Sequence, residues 1–161
     1  MDQSQQDLVE KVLSTSTDFC AALTRDEVEK FVAFSRHKMV VANEVLYDVG
    51  SISDEFFLIV GGEALLLRDI GEEVEVGRLG AGRLTGHMSF FDRLPRDVRL
   101  RAGDNGVEML GITRTMYKRL CIEHPYISVN LLEFVVLSLD NLLRSTSSEV
   151  SSLYHQLHES G

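Results

Sequence analysis

Between His37 and Ile112 the apolar residues of this chain come only in short runs, each closed by glycine or another turn-forming residue, and that punctuation restricts the fold more than any other feature. The runs are Met39 to Val41, Val45 to Tyr47, Glu55 to Val60, Ala64 to Leu67, Val74 to Leu79, Val98 to Ala102 and Val107 to Ile112. Asn43-Glu44, Gly50-Ser51, Gly61-Gly62, Gly71-Glu72, Gly80-Ala81-Gly82 and Gly103-Asp104-Asn105-Gly106 separate them. Runs this short suit strands, and many short strands with regular turn signals predict a jelly roll or small antiparallel barrel. A barrel of that size can hold one small ligand in its mouth.

Helical spacing flanks the strands. Leu8, Val9, Val12 and Leu13 predict a short amphipathic helix, and Thr24 with Glu27 three residues on is a capping box that opens a second one carrying Val28, Phe31, Val32 and Phe34. Both are expected to pack outside the body of the domain. A third helical segment starts near Thr113 and ends before Pro125, and a long helix follows. The fold class is therefore α+β, a single domain over 1–161 with N-terminal helices at 1–36, a β-barrel at 37–112 and C-terminal helices at 113–160.

In the last helix Val136, Leu139, Leu143, Val150, Leu153 and Leu157 are spaced three and four apart when Thr146 fills the gap. Such a narrow seam buries best against an identical helix, which predicts a parallel homodimer through 136–157. Leu132, Phe134 and Val135 suit packing back on the chain's own barrel.

Composition limits the function classes. With 161 residues, 44% hydrophobic and 25% charged, the chain is the size of one ordinary globular domain. A formal charge of −9 opposes contact with DNA, RNA or anionic membrane over the whole surface. In the basic cluster Arg93, Arg96, Arg99 and Arg101, alternation puts Arg99 and Arg101 on one face of a strand, which suits a solvated strand face. No apolar run approaches the ~20 residues of a membrane span, and the N-terminus lacks signal-peptide character, so a cytoplasmic protein is expected. Cys20 and Cys121 stand alone and suit buried reduced thiols, not a zinc or iron–sulfur site. His155 and His158 sit at helical spacing without a third ligand.

The stretch from Gly86 to Ala102 is where chemistry is expected. Gly86 followed by Met88, Ser89 and Phe90 reads as the start of a short helix, whose free backbone N–H groups favour an anion. Arg96, just after Pro95, can add a bidentate fork to the same anion. The same residues also suit a surface turn with solvated arginines.

Gly86-His-Met-Ser-Phe-Phe-Asp-Arg-Leu-Pro-Arg96, closing on Arg101-Ala102, resembles the phosphate-binding cassette of cyclic-nucleotide-binding domains. The resemblance extends upstream through Asn43 to Leu46, Gly50, Phe56 to Glu63, Leu79-Gly80 and Gly82, and downstream from Leu110 through Pro125. It is similar in particular to the sensory domain of catabolite-activator-like proteins, without their DNA-reading helix-turn-helix. The family places a glutamate after the first glycine to accept a ribose hydroxyl, and His87 stands there. After the arginine it places Ser, Thr or Ala, and Asp97 stands there, a carboxylate that would repel a phosphodiester. Thr146-Ser147 matches a Thr-Ser pair that contacts the purine in the catabolite-activator branch; a register-setting hydroxyl in the seam is the alternative.

The resemblance implies a non-catalytic regulatory module that senses cAMP, cGMP or a similar phosphate-bearing ligand through Gly86, His87, Met88, Ser89, Arg96, Asp97, Thr146 and Ser147. It would signal through its dimer helix to an unidentified protein partner, with no direct DNA or membrane contact. The alternative is a ligand-free degenerate domain serving as a dimeric protein–protein scaffold. A metal-dependent barrel enzyme would need clustered histidines, and His37 and His87 are the barrel's two. No catalytic residue, metal or cofactor is therefore expected.

Overall fold

The computed structural model describes residues 1–160; Gly161, the last residue of the expected domain, lies outside the described residues. Three helices come first: α1 (Gln3–Thr15), α2 (Thr17–Cys20) and α3 (Arg25–Phe34). Thr24 and Glu27 close the capping box foreseen for α3. Six strands follow, β1 (Arg36–Val40), β2 (Val45–Tyr47), β3 (Glu55–Asp69), β4 (Glu73–Gly80), β5 (Leu84–Thr85) and β6 (Arg99–Thr113), with the short helix α4 (His87–Asp92) between β5 and β6. Helices α5 (Arg114–Glu123) and α6 (Pro125–Glu159) end the chain.

Every strand pairing is antiparallel, in the order β1-β6-β3-β4, with β2 added to β6 and β5 to β3. This is the expected jelly-roll architecture with N-terminal helices and a long C-terminal helix. Four of the predicted short strands are in fact halves of two long ones. Gly61-Gly62 and the Gly103–Gly106 segment do not reverse the chain; they bend β3 and β6 where their pairing slips register between Ile59 and Ala64. A bulge adds a residue to one strand and sharpens the local twist, so glycines that read as turns become the kinks that curl the sheet.

Side chains of β3 alternate between two cores. Phe56, Leu58 and Val60 join Leu110 and Ile112 of β6 in a cluster with the helices, while Phe57 and Ile59 face the barrel interior with Val40, Leu100, Ala102, Val107 and Met109. The first cluster contains Leu8, Val9, Val12, Val28, Phe31 and Val32, so the N-terminal helices are not packed outside the body, as expected from the sequence, but complete its main core. Their apolar stripes are too narrow to be stable alone and are buried against the outer face of the sheet.

Pro125 does not break the chain so much as begin α6, taking the first helical position, where its missing N–H is not needed. Ile127, Leu131 and Val135 bury the base of this 35-residue helix. Beyond them Val136, Leu143, Val150, Leu153 and Leu157 are all more than half exposed. An 18-residue window of α6 has mean hydropathy 1.4, which by length and composition alone is enough to cross a membrane. Counting uninterrupted apolar residues overlooks it because Glu133 and Asp140 break the run.

Candidate functional site

Helix α4 is held by its aromatic side. Phe90 is fully buried against Phe56, with ring centroids 4.8 Å apart, and Tyr117 of α5 closes edge-on at 5.7 Å. The Ser89 hydroxyl donates to the Leu94 carbonyl at 2.8 Å and receives the Ser53 N–H at 3.4 Å. Ser89 thus spends its hydroxyl on the exit loop of the helix. Gly86 enters α4 with φ +78, a left-handed conformation that a side chain would strain, and an added Cβ would sit 3.3 Å from Arg96 Nη2.

Arg96 lies beside that glycine, facing inward. Its backbone is clamped to the β2–β3 loop: the Arg96 N–H donates to Ser51 O at 2.9 Å and the Gly50 N–H donates to Arg96 O at 2.7 Å. Its guanidinium stacks on the Tyr47 ring, 3.6 Å from the centroid, and Nη1 donates to Ser51 Oγ at 3.2 Å. Nε and Nη2 are buried and have no acceptor. Those two atoms carry three N–H bonds, side by side in the geometry that grips two oxygens of one anion. Burial lowers the Arg96 pKa from its ordinary value, against the smaller opposing effect of Tyr47.

Tyr47, with Ser51 and Thr85, is what sequence reading missed. Its hydroxyl lies 2.8 Å from Thr85 Oγ1 and faces the Gly86 backbone N–H, and burial raises its pKa. It stands at the end of a three-residue strand, and only the pairing of β2 with β6 brings it under Arg96. A lone tyrosine after two aliphatic residues carries no sequence signal for that contact.

His87 is half-buried, its Nδ1 enclosed and without a partner, and burial pulls the imidazole down to about 4. At neutral pH it is therefore an uncharged ring able to donate one N–H, and the cationic form does not contribute. From about pH 6.5 down to 4 the unfolded chain holds a proton on His87 that the folded chain does not. Stability should therefore fall as pH falls through that window, by up to about 3 kcal/mol. Denaturant melts at pH 7 and pH 4.5 measure this, and His87→Gln should flatten the difference relative to wild type.

Met88 is half exposed on α4. The Asp97 carboxylate is not turned toward the cradle: its side chain is 81% exposed and paired with Arg68 at 2.8 Å. Thr146 and Ser147 are exposed on α6, with Thr146 Oγ1 donating to the Leu142 carbonyl at 2.9 Å. They lie eleven residues or more past the last buried side chain of that helix, some ~16 Å along its axis, and do not meet Arg96 within one chain. The arrangement thus brings together Gly86, His87, Ser89 and Arg96, adds Tyr47, Ser51 and Thr85, and leaves Asp97, Thr146 and Ser147 apart.

A curled antiparallel barrel with a short helix set into its edge and an inward arginine beside that helix is the architecture of a ligand-sensing jelly-roll domain. The sequence model of the cyclic nucleotide-binding domain matches residues 37–124, more than half of the chain, and the chain belongs to that family. Among solved structures it is similar to a cyclic nucleotide-binding domain from Methylobacillus flagellatus KT, with TM-score 0.79 and 19% identity over 89% of this chain and 82% of that one. It is also similar to the Thermus thermophilus catabolite activator protein, with TM-score 0.70 and 24% identity over 84% of this chain and 62% of that one. A curated relative, lysophospholipase NTE1 of Phaeosphaeria nodorum, is 24% identical over 98 residues, which are 60% of this chain and 6% of that protein's length.

Proposed function

We propose that this chain is a non-catalytic regulatory module that senses a cAMP-like or cGMP-like ligand at the Gly86–Arg96 cradle. The observation that carries the reading is the Arg96 guanidinium, enclosed beside Gly86 with Nε and Nη2 unpaired. Buried donors without acceptors are costly, roughly 1–3 kcal/mol for each group, and a ligand phosphate relieves that cost on binding. The exit of Asp97 toward Arg68 removes the carboxylate expected to repel such a phosphate. His87 in place of the family's glutamate changes what meets the ribose: a neutral imidazole N–H donates where a carboxylate would accept, and a ribose hydroxyl can take either role, so the exchange alters selectivity without excluding a cyclic nucleotide. Isothermal titration with cAMP and with cGMP tests the reading, and absence of heat and of thermal shift at millimolar ligand overturns it.

Signalling is proposed to run through a parallel homodimer of α6, using the exposed seam from Val136 to Leu157. A ligand that binds one packing of the two helices better than another shifts the balance between them, which is the coupling that regulation requires. Leu143→Asp is expected to convert a dimer to a monomer in sedimentation equilibrium, and an unchanged mass would remove the seam from the account. The proposal places the module in the cytoplasm, answering to a protein partner, without DNA or membrane contact of its own.

A second reading keeps the dimer and dispenses with the ligand. The stacking of Arg96 on Tyr47, with Ser51 beside it, favours this version, since those contacts already occupy one face of the guanidinium. It expects Arg96→Ala to preserve partner binding, whereas the sensor reading expects that change to abolish the response.

A further inference from the structure

A second cationic site lies beside the cradle, outside the barrel. A cavity of about 630 Å³ opens between the start of β3, the exit of α4 and the β6–α5 junction, lined by Arg36, Arg93, Arg96, Arg114 and Lys118 against the carboxylates Asp54 and Glu55. Five cations facing two anions is the reverse of the chain's overall balance. Among the described residues the lysines and arginines without an ion pair are Arg36, Lys38, Arg83, Arg93, Arg96 and Lys118, and four of these six line this cavity. Positive charge elsewhere is largely neutralised by neighbouring acids; here Arg36, Arg93 and Lys118 have neither an ion pair nor a side-chain hydrogen bond, while Arg96 is enclosed against Tyr47 and Arg114 meets Asp54.

Besides Arg96, whose guanidinium rests on Tyr47, the Arg114 side chain is held in place, and Arg93 is distinguished by its backbone. Arg114 stacks over the Phe90 ring, 4.2 Å from its centroid, and donates to the Phe90 carbonyl at 2.6 Å, with a 3.5 Å contact to the largely exposed Asp54. Arg93 ends α4 in the left-handed region at φ +59, a position that glycine occupies without strain. Apart from Asn43, it is the sole non-glycine residue with positive φ among the described residues. An arginine kept where glycine would relax the backbone points to a use for its side chain.

We propose that this cavity binds an oligophosphate, a compact ligand with two or more linked phosphoryl groups, free or esterified to a nucleoside. One phosphate would leave most of the charge and volume unused, whereas the cavity falls in the size range of small-molecule sites. An extended polyanion such as nucleic acid would meet the negative charge of the remaining surface. The site shares Arg96 with the nucleotide cradle but takes its other cations from β1, the exit of α4 and α5.

The test is titration calorimetry of the full chain with inorganic orthophosphate, pyrophosphate, tripolyphosphate and a nucleoside triphosphate. Affinity is expected to rise with the number of phosphoryl groups and to fall steeply with added salt. The double variant Arg36→Ala/Lys118→Ala should weaken tripolyphosphate binding at least tenfold while leaving the melting temperature and any cAMP or cGMP binding as in wild type. Arg93→Gly should weaken it several-fold and raise the melting temperature by relieving the backbone. A nucleoside triphosphate that binds at least tenfold more tightly than tripolyphosphate assigns the site to a nucleotide; equal affinities assign it to the phosphate chain alone. Absence of binding by all four probes, or tripolyphosphate affinity unchanged in the double variant, overturns the proposal. Either result is separable from the cradle reading, because cyclic nucleotide binding is measured in the same samples.

Discussion

Arg96→Ala is expected to lower affinity for whichever of cAMP or cGMP binds the wild-type chain by roughly 100-fold, about 3 kcal/mol, with little change in thermal stability. The two effects separate because the guanidinium gives the unliganded fold little. It gains a ring contact with Tyr47 and one hydrogen bond to Ser51, but leaves Nε and Nη2 enclosed without acceptors. With a phosphate present those N–H bonds become charge-assisted and bidentate, so their loss falls almost wholly on the complex. Arg96→Lys should recover only part of the affinity, since an ammonium is a point charge without the planar fork. Calorimetry paired with thermal melts of each variant checks both halves. Affinity that survives Arg96→Ala would exclude the cradle as the phosphate site, whereas absence of cyclic-nucleotide affinity in the wild-type chain would leave the scaffold reading standing.

Gly62→Ala is expected to destabilise the fold by about 3 kcal/mol or more, which for a chain of this size is a fall of roughly 10 °C in melting temperature. Gly62 has φ +68, and a Cβ there would lie 2.2 Å from the carbonyl oxygen of Gly106, a distance no side-chain adjustment relieves because both atoms belong to backbones. The kinks of β3 and β6 touch at this point, so separating them uncurls the barrel. Gly50→Ala is the control: φ is +84 there but a Cβ meets nothing within 4 Å, so the cost is only the conformational strain of about 1 kcal/mol. Equal melting temperatures for the two variants would show that the close approach of the kinks does not hold the barrel's curvature.

Local patterns were legible wherever one residue type can do the job in only one way. The capping box at Thr24 and Glu27 marks the start of α3, and the helical spacing of Leu8, Val9, Val12, Phe31 and Val32 names the faces that are buried. The glycine-led cassette located Gly86 and Arg96, which the fold does place side by side. Two features misled. Gly61-Gly62 and Gly103 to Gly106 read as chain reversals because a left-handed glycine serves a turn and a bulge equally well, and only the partner strand distinguishes them. Asp97 read as a neighbour of the phosphate because it follows Arg96, yet it stands at a bend before β6 and its carboxylate goes out to Arg68.

The amino-acid order alone determined most of the helices and strand segments and the jelly-roll class, and it singled out the stretch after Gly86, because periodicity, caps and a left-handed glycine act over a few residues. Tertiary structure alone decided that Tyr47 lies under Arg96, that the first helices complete the core, and that Arg36, Arg93 and Lys118 line one cavity. Those relations join residues far apart in sequence, through strand pairings and helix packing whose geometry no local pattern encodes.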